Sequence, residues 1–322
     1  YDKVIELGVN MMSIPEEFGG GGAPRSPVSN MLIAEDLGKG DFSLALGALA
    51  PLGVANVIMD QGSAKQKEKW LPKFTEETFY PAAIALVEPR ATFDAQDIHT
   101  TATASGDGYV LNGVKALVPH GAEAELLMVI ANLEGKPAAF LVEKGAAGLS
   151  AESQEAMGLR PMSKAKITLE EVKVGADALL GEKEIEFDYQ RLVDLSRLGV
   201  CAASIGVCQA VLDYVVDYTN TRVAFGEPIS HRQAVAFMVA NIAIELEGMR
   251  LLVYRAVSKA EQGLDFHKEA FLAHSFASER TMEIGTNGVQ LLGGHGFIRE
   301  HMVELWYRNL RSVAILEGTF HL

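Results

Sequence analysis

The stretch FDYQRLVDLSRLGVCAASIGVCQAVLDYVVDYTNTR at 187–222 carries apolar residues three and four apart, with small ones gathered at Ala202, Ala203, Ser204 and Gly206. That spacing predicts a helix too long and too apolar to lie alone on a surface, with a stripe that lets another helix come close. HRQAVAFMVANIAIELEGMRLLVYRAVSKAEQG (231–263) and FHKEAFLAHSFASERTMEIGTNGVQLLGG (266–294) continue in the same style. Three such helices predict a bundle of four, completed by one more partner.

Upstream the period changes. PAAIALVEP (81–89), the run IHTTATASGDGYVLNGVKALV (98–118), ELLMVIANLEGKPAAFLVEKG (125–145) and KITLEEVKV (166–174) are short and rich in β-branched residues, broken by Gly-Asp-Gly, Asn-Gly and Glu-Gly. They predict a β-domain with a hairpin-like turn at Asn112-Gly113, its strands partly exposed on one face. Further upstream the chain reads as helical. SPVSNMLIAEDLGK (26–39) follows a Ser26 cap with Pro27 in its first turn, and EEFGGGGAP (16–24) reads as a flexible surface turn. The fold class is therefore α+β: an N-terminal helical domain over 1–78, a middle β-domain over 79–182 and a C-terminal helical bundle over 183–322. The chain opens as if inside a helix and stops without a closing one, so both ends read as cut from a longer protein.

Composition narrows the function. Apolar residues make up 48% of the 322, which excludes a disordered chain. A formal charge of −14 argues against general affinity for nucleic acid or anionic lipid. Cys201 and Cys208 read as small buried residues of a reducing compartment, without metal-ligand spacing. No signal segment is visible, and SLALGALAPLGVANVIM (43–59) falls short of a membrane crossing, so the reading is cytoplasmic.

Local chemistry leaves choices open. LLGGHGF (291–297) either ends a helix or admits a ligand close to the backbone, and it lacks the spacing of a dinucleotide fingerprint. Arg222 either binds an anion or is a solvated helix end, and His231 is given no catalytic role. Glu317, among Val313, Ala314, Ile315 and Leu316, is either a solvent-facing residue or a base in a dry pocket. No metal site is expected.

Seven motifs in order carry a wider resemblance: IPEEFGG (14–20), VEPRATFD (87–94), YVLNGVK (109–115), EEVKV (170–174), TRVAFGEPISHRQAVAF (221–237), QLLGGHGF (290–297) and LEGTF (316–320). Together they resemble the acyl-CoA dehydrogenase family over nearly the whole chain. The resemblance implies a homotetramer built as a dimer of dimers, bound FAD, an acyl-CoA substrate and an electron-transferring flavoprotein as acceptor. It implies that Glu317 removes the α-proton of the acyl-CoA while hydride goes to flavin N5, leaving a trans-2-enoyl-CoA. Arg222, Phe225 and Gln233 match contacts to the FAD pyrophosphate and adenine from a neighbouring subunit. Gln290, Gly293 and Gly294 match the segment against the adenylate, and Thr319 matches a threonine near the phosphates. Leu86 and Val87 fall where the chain meets the flavin ring. Arg197, Phe93, Leu316 and Gly318 fall on the substrate side. Ser196 stands where some members carry the base on another helix, and it cannot replace Glu317.

The resemblance breaks at the flavin ring. Where the family has a threonine before Glu-Pro, this chain has Val87, and where it has a small hydroxyl residue, Phe93. The usual ring-stacking tryptophan is Leu117, and the threonine that reaches N5 is Pro119. Pro119 removes a hydroxyl and a backbone donor together, and each lost buried donor costs about 1–3 kcal/mol. Beside the dehydrogenase reading stand two others: a non-redox or cofactor-poor acyl-CoA-binding paralogue, and one subunit of a heteromeric dehydrogenase.

Overall fold

The computed structural model describes residues 1–91, 93–183 and 185–316. Its first helices are α1 (Asp2–Glu6), α2 (Pro27–Gly40), α3 (Phe42–Gln61) and α4 (Ala64–Trp70). The Ser26 side chain accepts from Ser29 N at 3.0 Å, capping α2 as its sequence predicts. The glycine run after Phe18 is not the flexible turn expected. Gly21 and Gly22 donate to Met11 O and Ile14 O, and a Cβ on Gly20 would lie 2.1 Å from Ile14 O. The glycines are there because the backbone folds flat against 11–14.

Seven strands follow as one mixed sheet: β1 (Ala82–Ala85), β2 (Thr101–Ser105), β3 (Gly108–Pro119), β4 (Leu126–Leu133), β5 (Lys136–Glu143), β6 (Leu149–Ser153) and β7 (Lys164–Gly175). The order is β1-β4-β2-β3-β7-β6, with β5 on β4; β1 and β2 both run parallel to β4. Alternation sorts the side chains. Ile84, Leu126, Met128 and Ile130 face a core shared with α3, while Ala83, Ala85, Leu127 and Val129 face a second core closed by β3 and β7. β1 and β4 are thus covered on both faces, against the one-sided exposure expected; β2 and β6 are the exposed strands.

Asn112-Gly113 is not a turn. β3 runs through it with a register shift against β7, and the Asn112 Oδ1 accepts from Glu171 N at 2.8 Å. The pair builds a bulge. Reversals fall instead at Gly106-Asp107 and at Glu134-Gly135, where both residues have positive φ, 53° and 85°.

The remaining helices are α5 (Tyr189–Thr221), α6 (Gln233–Glu261), α7 (His267–Leu292) and the short α8 (Val303–Leu310); a tight hairpin of β8 (Val223–Ala224) and β9 (Glu227–Pro228) links α5 to α6. The close approach expected along α5 is with α2. A Cβ on Gly206 would sit 1.9 Å from Glu35 O, and one on Gly38 2.1 Å from Ala203 O. Helices α3 and α5 are each long and apolar enough to cross a membrane, so the first does reach the length its sequence was read to lack. Their most apolar windows are 83% and 67% buried within the fold, as core helices are.

Candidate active site

The site begins with a charge in a place that burial should forbid. Lys115, in the middle of β3, is fully buried. Its Nζ donates to Leu86 O at 3.1 Å and to Glu88 Oε1 at 3.0 Å, just past β1. The Glu88 carboxylate also accepts from Thr100 N and Thr100 Oγ1, both at 2.7 Å, and from His99 N. Burial pushes the Glu88 carboxyl up, but the Lys115 charge and these donors outweigh it and hold it below the usual range. Burial drives Lys115 down to about 8 against the pull of Glu88.

Directly after this pair β3 is distorted. Ala116 N bonds Val87 O at 2.8 Å, the register to β7 shifts between Lys115 and Val118, and Leu117 takes φ +54°. Leu117 N, lifted out of the ladder, donates to the Gln154 side-chain oxygen at 2.7 Å. His120, at φ +52°, completes the turn with its Nε2 2.8 Å from Gly47 O.

The distortion opens a cleft of about 420 Å³ between the loop after β1, the displaced Ala116 and Leu117, Gln154, and Ala314 and Ile315 beyond α8. Leu117 and Ile315 are shared with a narrower apolar limb of about 120 Å³ that reaches Leu316. Gln154 is shared with a polar limb of about 510 Å³ that holds Lys164 and Arg160. Lys164 Nζ is buried and donates to Leu159 O and Met162 O; burial lowers its pKa.

The site residues expected from sequence fall into separate places. Val87, Phe93 and Leu316 line these limbs, and Leu86 lies buried behind them as acceptor for Lys115. Arg197 is not in the lining; its charge acts on Asp194, Cys201 and His274, between α5 and α7. Arg222, Gln233, Gln290, Gly293 and Gly294 are exposed at helix ends. Phe225, 93% exposed with φ +55°, forms the tip of the β8–β9 hairpin. Tyr218, one turn before Arg222, bonds His295 Nδ1 at 2.8 Å and ties the end of α5 to the glycine segment. Glu317, Gly318 and Thr319 lie outside the described residues.

Sequence reading missed the Glu88–Lys115 pair and Gln154. A lysine flanked by Val114 and Ala116 in a strand was the available signal, since a buried charge demands a counter-charge. Nothing local marked Gln154.

FAD fits this surface. The cleft offers apolar walls at Val87, Ala116, Leu117 and Ile315 and a side-chain amide at Gln154. No heavy atom lies within 4 Å of where a Cβ on Gly293 or Gly294 would stand, which leaves the backbone there open to a ligand. Among the described residues no trio of His, Cys, Asp or Glu could hold a metal ion.

Helices, curled sheet and helices around such a cleft define an α+β fold of the acyl-CoA dehydrogenase type. The chain belongs to the acyl-CoA dehydrogenase family: the family's N-terminal, middle and C-terminal domain models match residues 1–78, 83–172 and 189–321. It is 33% identical over 328 residues to the short-chain specific acyl-CoA dehydrogenase of Megasphaera elsdenii, covering 99% of this chain and 85% of that one. It is 34% identical over 327 residues to subunit CarC of the caffeyl-CoA reductase-Etf complex of Acetobacterium woodii, with the same coverage, 99% and 85%. Among solved structures it resembles the FAD complex of PigA, with a TM-score of 0.90 at 25% identity over 99% of this chain and 85% of that one. It is an oxidoreductase of that family.

Proposed function

We propose that the protein oxidises a short-chain acyl-CoA to the trans-2-enoyl-CoA, with FAD as cofactor and Glu317 as the base. One observation carries this reading: Ala314, Ile315 and Leu316, the residues leading into Glu317, line the cleft and its apolar limb. FAD, when bound, supplies the hydride acceptor. The chain's own part is to hold the acyl group and keep water out. The Glu317 carboxylate takes the α-proton, made removable by hydrogen bonds to the thioester oxygen. Val87 is assigned to the flavin ring, with Leu86 buried behind it as a support, and Phe93, Leu316 and Gly318 are assigned to the acyl-CoA; Arg197, on α5 and outside the lining, is given no direct contact.

Arg222, Phe225, Gln233, Gln290, Gly293, Gly294 and Thr319 are assigned to the FAD nucleotide across a subunit boundary. Phe237, Ile244 and Leu251, exposed apolar side chains on α6, support a contact between subunits, and a homotetramer is the proposed assembly. An electron-transferring flavoprotein is the proposed acceptor. The chain is placed in the cytoplasm, in keeping with the free, buried thiols of Cys201 and Cys208. We take 1–78, 79–182 and 183–322 as its three segments.

The test is the visible spectrum of the purified protein. Oxidised-flavin absorption that bleaches when butyryl-CoA is added bears the reading out. A protein that stays colourless after incubation with FAD overturns it. That result favours an acyl-CoA-binding paralogue or a subunit completed by an unlike partner, the readings that Val87 and Pro119 support.

A further inference from the structure

Leu117 is held in a left-handed conformation, which costs a leucine energy, and its N–H faces away from the β3–β7 ladder. Gln154 meets that N–H with its side-chain oxygen at 2.7 Å. A backbone N–H must be met by an acceptor, so the carboxamide has one orientation and its NH2 points the other way. The Gln154 backbone is fixed in turn, since its own N–H bonds Lys164 O at 2.8 Å. Gln154 lines both the 420 Å³ cleft and the polar limb. Among the described residues nothing accepts from its Nε2. In the 420 Å³ cleft the other lining side chain with donors is Arg90, which binds Asp97, His99 and Glu88 and whose Nε is buried; Lys115 is paired with Glu88, and Arg160 lines the polar limb, not this cleft.

From this geometry we propose that Gln154 Nε2 donates a hydrogen bond to the isoalloxazine ring of bound FAD, taking over from donors absent at Val87 and Pro119. The proposal rests on the FAD reading given above. It explains how a pocket stripped of its hydroxyls still offers a donor to a polar ring. The donor comes from the residue just past β6, across the cleft from the loop after β1.

The experiment titrates the full chain, stripped of flavin, with FAD, following flavin fluorescence and absorption for wild type, Gln154→Glu and Gln154→Met. Glutamate keeps an acceptor for Leu117 N–H and removes the donor; methionine removes both. Weakening of FAD binding by about tenfold or more in both variants, with a shifted absorption band in whatever flavin remains bound, supports the donor. Unliganded melting midpoints control for folding; where one variant fails to fold, the other decides. Equal binding by wild type and Gln154→Glu overturns the proposal, leaving Gln154 as a prop for Leu117 alone. Wild type that binds no FAD overturns the flavin reading first and this inference with it, a result distinct from the other.

Discussion

His274 on α7 is buried at 8% exposure with its Nε2 unpaired. Burial first, and the Arg197 charge second, push its imidazole down to about 4. Unfolded, the ring titrates near its ordinary 6.5. Below that value the unfolded chain takes up a proton the folded one refuses, so stability is whole above 6.5 and falls as pH drops toward 4. Between about pH 7 and pH 5 the loss from this ring is about 2 kcal/mol. Urea melts should show a smaller acid loss in His274→Leu than in wild type; equal losses would remove His274 from the account. At the reacting centre, Glu317→Gln should lower turnover by about 10²–10⁴-fold while flavin stays bound, read by acyl-CoA-dependent dye reduction. Lys115→Met should cost about 3 kcal/mol, because buried Glu88 loses its closer counter-charge and keeps Arg90, 3.5 Å away, and the donors of His99 and Thr100. Adding Glu88→Gln should recover part of that loss in the same denaturation assay.

At the level of elements, α2 and α5 meet through glycines. Any side chain at Gly206 would drive into the Glu35 carbonyl, 1.9 Å from its Cβ. Gly206→Ala should therefore cost about 1–3 kcal/mol or more, measured by thermal melting, whereas Ala at Gly40, where no atom lies within 4 Å, should be tolerated. The helices were legible because their apolar spacing runs unbroken for many turns. The Asn112-Gly113 bulge was not: the dipeptide marks positive φ, which a bulge satisfies as well as a turn, and only the partner strand decides. Glu88 and Lys115 lie 27 residues apart, so their meeting depends on how β1 and β3 are brought together. The position of Val87 by the cleft was legible through motif order. The role of Gln154 was not, because it answers a strain at Leu117 that exists only once the strand is bent.

For the molecule as a whole, the exposed apolar side chains Phe237, Ile244 and Leu251 of α6 are where the proposed assembly is tested. Phe225, at 93% exposure with Arg232 over its ring, is the most exposed of the large apolar side chains among the described residues. Phe225→Ala should weaken FAD binding without altering the secondary structure, and Phe237→Asp should lower the assembled mass in light scattering.

The clusters of buried side chains ignore the boundaries that sequence motifs draw. Met31, Phe42 and Leu46 belong with α5 to α8, while Val54 and Ile58, farther along α3, belong with the sheet and with Leu192 and Val193 of α5. Helices α3 and α5 each serve two cores. The consequence concerns exchange between relatives. A middle sheet transplanted from another member would have to match α3 and the first turns of α5 at once.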